Sequence, residues 1–286
     1  MNIKILVAYH KPSPLIASDI FLPIHVGKKL SNVELNIQGD DSGDNISEKN
    51  GIYCEMTALY WAWKNLDADY IGLCHYRRFF TFERYGCIRQ VKSCLRYLKT
   101  RFFDNAVNPG AGFYYVFKRI FFVKKEDDLK KKTARFQNDL IEVFNSKKID
   151  FLAPVPFKLA SCSVEQFFST IGRDHLALLK KIVQERHPDF YPYVQKTLNG
   201  YTLYPANMFI MKKGLFDQYA ETVFDILFNH ERLTQESGWS NDVLSEKSYA
   251  RIPGYLAEIL TSSYILKLIQ EKQFSYTESN TFLFIP

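Results

Sequence analysis

The residues best suited to chemistry in this 286-residue chain are His75-Tyr76-Arg77-Arg78. Four polar or amphipathic side chains, three of them able to carry positive charge, follow directly on the apolar run Tyr70-Ile71-Gly72-Leu73-Cys74. A guanidinium donates two parallel hydrogen bonds to phosphate oxygens, so adjacent arginines suit a diphosphate. A second cluster runs from Gln38 to Ser47, where Asp40, Asp41, Asp44 and Asn45 are interspersed with glycines. Its carboxylates can accept hydrogen bonds from a ribose or a uracil, or hold a divalent cation, Mn or Mg. A third is His10-Lys11-Pro12, again behind an apolar run. Each has a bland counterpart: a solvated basic turn, a solvated acidic turn and an ordinary connection.

The elements that must position these groups follow from periodicity. Ile52, Met56, Leu59, Trp63 and Leu66 fall on one face of a helix, with Asn50 as its N-cap. Tyr70 to Cys74 lacks alternation, as a strand covered on both faces would. Ligands of open α/β sheets bind beyond the carboxyl ends of such strands, where His75 to Arg78 stand. Ile3 to Tyr9 is the first strand and Val33, Leu35 and Ile37 alternate as a second. Further strands are expected at Ile149 to Pro154 and at Tyr204 to Met211. Helices are expected from Arg173, on the stripe Leu176, Leu179, Ile182 and Val183, and over Phe216 to Phe228. An aspartate at 174 suits a helix's first turn whatever its function. Asn207, at the head of a buried strand, either bonds backbone or meets a sugar hydroxyl.

Composition bounds the class. A hydrophobic content of 47% supports a sizeable core, and 16% aromatic residues are available for core or sugar platforms. The five cysteines are odd in number and form no C-x-x-C pair, which argues against a disulfide framework or zinc site and fits a reducing compartment. The apolar stretch at the N-terminus is too short for a signal peptide or a spanning helix. These points predict a cytoplasmic protein. Residues 84–135 carry fourteen Lys/Arg against four acids, a net +10 in a chain whose total is +6. Arg89, Lys92, Arg96 and Lys99 form one helical stripe, and aromatic runs follow between basic residues. Such a segment fits either an interfacial contact with anionic lipid or a solvated insertion. The competing function class is a non-catalytic polyanion- or membrane-binding protein.

Cys54 to Asn65, CEMTALYWAWKN, and Cys74 to Arg78, CHYRR, resemble the signature of a bacterial glycosyltransferase family from capsule, exopolysaccharide and O-antigen gene clusters, long labelled only as a domain of unknown function. The stretches YHKP at 9–12, FLPIHVG at 21–27, the aspartate loop, YPANMFIM at 204–211 and RIPGYLAE at 251–258 are similar to other parts of it. Pro205, Ala206, Pro253, Tyr255 and Ile259 depart from its pattern. The resemblance covers residues 1–80 and 149–270. It implies one domain over 1–286 with 84–135 as a basic insertion. The implied fold is α/β, GT-A-like and nucleotide-sugar binding, with a mostly parallel central sheet. The implied activity is transfer of a hexose, with galactofuranose as one candidate, from a UDP-sugar to a capsule, exopolysaccharide or O-antigen glycan, with inversion. The usual metal-holding aspartate-x-aspartate is missing after the strand ending in CHYRR, so positive side chains or a cation on the aspartate loop could balance the diphosphate. The implied donor contacts are His10, Lys11, Asp40, Asp44, Asn45, Tyr76, Arg77 and Arg78. The implied catalytic groups are Asp174, Glu258 and His75, with Asp174 first and Glu258 second as general base. Trp61, His175, Asn207 and Arg251 are the implied acceptor contacts. The implied partners are the donor, a glycan or lipid-linked glycan, and an anionic inner-membrane surface through 84–135, with no nucleic acid.

Overall fold

The computed structural model describes residues 1–84, 120–159, 162–238 and 251–285. Their backbone is organised on a nine-stranded mixed sheet. Strand β1 (Ile3–Tyr9) lies between β2 (Phe21–His25) and β4 (Tyr70–His75), parallel to both. The short β3 (Gln38–Gly39) continues the sheet beyond β2. On the other side of β4, β10 (Phe209–Lys212) runs antiparallel between β4 and β7 (Phe151–Pro154). Strand β11 (Tyr276–Phe284) is parallel to β7 and to β6 (Ile120–Val123). After β4 the chain turns back as β5 (Arg78–Thr81), which sets Arg78 opposite His75 and pairs with the far half of β11. Consecutive parallel strands leave β1 in opposite directions, β2 to one side and β4 to the other. Such a reversal opens a crevice at the strands' carboxyl ends.

The apolar runs cover both faces because successive residues point to opposite sides. Leu6, Ala8, Leu73 and Phe209 pack under α2 (Met56–Asn65), α5 (Arg173–Arg186), α6 (Tyr191–Asn199), α7 (Lys213–Glu236) and α8 (Ile252–Glu271). Ile5, Val7, Cys74 and Ile210 pack under α3 (Glu126–Lys147), which contributes Leu129, Phe136, Leu140 and Phe144. The connections on the first face add α4 (Val164–Phe168) and the hairpin of β8 (Phe157–Lys158) with β9 (Thr202–Leu203).

Three expectations from sequence are corrected. The second strand is Phe21–His25, not Val33 to Ile37, whose Val33 is exposed. Pro23 sits inside β2 opposite Val7, and β3 pairs only with Ile24 and His25, so the missing amide hydrogen faces no ladder partner. The helix expected from Ile52 to Leu66 is broken at Cys54, which takes φ 53°, between α1 (Asn50–Tyr53) and α2. Asn50 is not an N-cap: its amide donates to the Cys54 carbonyl and Thr57 Oγ1, bracing the break. Of the basic insertion, the stripe Arg89, Lys92, Arg96 and Lys99 lies outside the described residues, while Lys130 to Arg135 belong to α3, where Lys130, Lys131 and Arg135 are exposed. Cys54 and Cys74 are free thiols. Among the described residues no helix is long and apolar enough to cross a membrane.

The β4–β10 contact fixes how near the two strand ends lie. A Cβ added at Gly72 would sit 2.7 Å from the Phe209 carbonyl oxygen and 2.8 Å from Ile210 Cγ1. Gly72→Ala is expected to cost about 2 kcal/mol, the scale of forcing a methyl into a packed core, in urea unfolding with an unchanged slope. A variant as stable as the native chain would show that the strands can part without loss.

Candidate active site

Two loops rise side by side where β1 and β4 end. His10 stands edge-on to Tyr76 with ring centroids 5.0 Å apart, and Lys11 Nζ lies 5.7 Å from the same ring. This forms an exposed lip of aromatic and basic groups. Arg77 and Arg78 then part. Arg77 Nε donates to the Phe284 carbonyl at 3.0 Å, fastening the turn to β11. Arg78 turns to the other side, beside His75 and Glu258, whose ring and carboxyl feel its charge. Its Nε–H is buried and meets no acceptor among the described residues. A buried guanidinium donor aimed at no protein group is a fitting partner for a phosphate oxygen.

The centre of the site is the turn Pro205–Asn207 at the head of β10. Ala206 (φ 63°) and Asn207 (φ 52°) are consecutive non-glycine residues in the left-handed region. That backbone costs about 1–2 kcal/mol per residue and persists only where its surroundings hold it. Here His75 Nε2 bonds the Ala206 carbonyl at 2.8 Å, and the Ala206 N–H donates to the Glu258 carboxylate. Fully buried Asn207 donates to Glu55 Oε1 at 2.9 Å and accepts from Thr261 Oγ1 at 2.8 Å. Thr261 in turn shares a 2.8 Å bond with Tyr219. The break at Cys54 sets Glu55 just outside the helix, at the end of this chain of hydrogen bonds. Two carboxylates, Glu55 and Glu258, therefore meet His75 and Arg78 around one strained turn.

Electrostatics divides their roles. Burial, reinforced by the charge of Glu55, pushes the Glu258 carboxyl up to about 7, against the opposing pull of the Ala206 N–H and Arg78. Burial holds the His75 imidazole below its ordinary value, with Glu55 and Arg78 acting in opposite senses, so the ring is neutral at pH 7. His10 is lowered as well, first by burial and then by Lys11 and Arg251. Arg251 is exposed at the N-cap of α8. Burial and the charge of Glu55 push the Cys54 thiol up to about 12, so it is no nucleophile.

The other expected residues are placed elsewhere. Asp40 is fully buried, and its carboxylate accepts from the Gly27 and Lys28 amides and from the hydroxyls of Ser47 and Thr57. It braces the 25–28 turn. Asp44 accepts from Tyr60 at 3.1 Å, and the Asn45 amide donates to backbone carbonyls within its own loop. Trp61 Nε1 donates to Ser42 Oγ at 2.9 Å, tying that loop to α2. Asp40 has its oxygens occupied, and among the described residues no group of three His, Cys, Asp or Glu could hold a metal. Asp174 is exposed in the first turn of α5, and the buried His175 beside it faces His230 at 3.4 Å. Sequence reasoning passed over Glu55, an ordinary helix acid by spacing. The signal for it was its place in the CEMTALYWAWKN signature.

Residues 4–271 match the family model described as a domain of unknown function (DUF4422), and the chain belongs to that family. Among solved structures it is similar to the apo form of WbbM, a bifunctional glycosyltransferase, with a TM-score of 0.78 and 28% identity over the whole of this chain. The match covers 46% of that protein, so the chain spans about half its length. No curated protein matches.

Glu258 holds its proton more tightly in the fold than in the unfolded chain. Its ionisation therefore weakens the fold as pH rises from the ordinary 4.5 through about 7. Glu258→Gln, which keeps an acceptor for the Ala206 N–H, is expected to be more stable than the native chain at pH 8 by about 1–2 kcal/mol, allowing for partial exposure. The difference should vanish below pH 4.5. Thermal melts at both pH values decide this. A variant less stable at pH 8 would mean that ionised Glu258 supports the fold.

Proposed function

We propose that the chain is a glycosyltransferase of GT-A-like fold that moves a sugar from a UDP-sugar to a glycan hydroxyl with inversion. The observation that carries this is the meeting of a carboxyl poised near neutrality, Glu258, with Arg78, whose buried Nε–H has no acceptor among the described residues, at the reversal point of the sheet. Likeness to a bifunctional glycosyltransferase over the full chain supports the class.

Transfer asks for a base at the acceptor oxygen and positive charge at the leaving diphosphate. Of the two carboxylates expected as base, Glu258 is better supported than Asp174. Its pKa near 7 lets it be ionised at neutral pH and still take a proton with useful driving force. Glu55 raises that pKa and is fixed by Asn207. The acceptor oxygen attacks the anomeric carbon as its proton passes to Glu258, and the carbon–phosphate oxygen bond breaks on the opposite face. Arg78 donates to the departing UDP, with Lys11 and Arg251 adding positive field at the lip. Neutral His75 holds the turn rather than a proton in flight. The hexose, galactofuranose among the candidates, and the capsule, exopolysaccharide or O-antigen acceptor follow from family resemblance. Approach to a lipid-linked acceptor at an anionic membrane through 84–135 does so in part, together with that segment's +10 charge.

UDP release from a panel of UDP-sugars tests the proposal. Arg78→Ala is expected to slow it about 100- to 1000-fold, the effect of losing one donor at developing charge. Arg77→Ala should act mainly through stability, because Arg77 is committed to Phe284. Full turnover by Arg78→Ala, or no UDP release from any donor, would overturn the assignment.

A further inference from the structure

Three fully buried polar side chains stand in single file behind Glu55: Asn207, Thr261 and Tyr219. A protein interior holds such groups at little cost only when they are hydrogen-bonded. The direction of their bonds is forced, beginning at the carboxylate. A carboxylate only accepts, so the Asn207 amide must turn its N–H to Glu55 Oε1, at 2.9 Å. Its carbonyl oxygen then faces Thr261, whose single hydroxyl proton donates to it at 2.8 Å. With that proton committed, the 2.8 Å bond between Thr261 and Tyr219 has one donor left, the Tyr219 hydroxyl. Burial pushes the Tyr219 phenol up, so it keeps the proton it has to donate. Phe209 and Tyr264, with ring centroids 4.8 and 5.4 Å away, fix its ring.

The file of donors leads back to the site. Thr261 lies one helical turn after Glu258, so neighbouring positions on α8 carry both. Asn207 follows Ala206, whose amide binds Glu258. Glu55 is thereby held where its charge reaches Glu258, beside which Arg78, the Cys54 thiol and neutral His75 also stand. Reversing the Asn207 amide would set its carbonyl oxygen against the Glu55 carboxylate. Glu55 would then swing away or take up a proton, and either change leaves less negative charge beside Glu258.

We infer that Thr261 is a positioning residue of the transfer site: with Tyr219 behind it, its hydroxyl sets the Asn207 amide so that Glu55 stays beside Glu258. The inference rests on the proposed reaction for calling Glu258 the base, and on the hydrogen bonds alone for the orientation.

Three variants test it. Thr261→Val keeps the shape of the side chain and removes the hydroxyl. Thr261→Ser keeps the hydroxyl. Thr261→Val combined with Tyr219→Phe also removes the phenol left without an acceptor, and serves where the single valine variant does not fold. The Glu258 carboxyl is titrated in each by ¹³C NMR, which needs no substrate. It is expected to titrate at about 7 in the native chain and in Thr261→Ser, and to fall towards 4.5 in the valine variants. A residue that merely fills the core would leave that titration unmoved. An identical titration in the native chain and the valine variants overturns the inference, as does an equal fall in Thr261→Ser. The acid limb of kcat/KM for UDP release reports the base in the free enzyme and is expected to move down with the titration. A limb that stays while the titration moves removes Glu258 as the base. Absence of UDP release from the native chain with every donor overturns the transferase activity, and the titration still decides the orienting role of Thr261.

Discussion

The backbone of one residue, Ala206, holds the site together. Its carbonyl takes the His75 bond from the end of β4 and its amide gives the Glu258 bond to α8. Two adjacent non-glycine residues in left-handed conformation are an unfavourable way to enter a strand. The surrounding bonds offset that cost: His75 and Glu258 on Ala206, Glu55 and Thr261 on Asn207, Ser262 on Tyr204. The partners come from three elements, β4, α2 and α8, so the turn forms only when these and β10 are all in place. Its conformation records that the sheet and its helical layer have assembled.

That dependence explains the electrostatics. Glu55 and Glu258 would separate in a relaxed loop. The turn keeps them close enough for one charge to raise the other's pKa, and Arg78 keeps the pair from excess repulsion. Two glutamates of the same chemistry are thereby given different tasks, one fixed by Asn207 and one left able to exchange a proton near neutral pH. The basic lip of His10, Lys11 and Arg251 surrounds them without a metal-fitting cluster among the described residues.

Much of the fold was legible where burial speaks through composition. Ile3 to Tyr9 and Tyr70 to Cys74 are apolar on both faces and became the central strands β1 and β4. Helices α5 and α7 followed their stripes, each running beyond the expected end. Legibility failed where pairing overrides a local rule: β1 recruits Phe21–His25 as a strand despite Pro23, and Val33 to Ile37 alternates with no strand to pair with among the described residues. Within the site, Arg78, His75, Glu258 and Asn207 carried visible signals, as polar residues at strand ends or in a signature. Glu55 stood in a signature too, but its importance depends on a helix break at Cys54 that no spacing rule shows. Asp40 carried the opposite error: a polar loop on paper, a buried hub of hydrogen bonds in the fold.

The central claim is that Glu55 and Glu258 form one coupled pair, with Glu258 poised near neutrality by burial and by its neighbour. Titration of the Glu258 carboxyl by ¹³C NMR, in the native chain and in Glu55→Gln, measures this directly. The expected result is an apparent pKa near 7 that drops towards the ordinary 4.5 when Glu55 loses its charge. A Glu258 carboxyl that titrates near 4.5 in both proteins would contradict it.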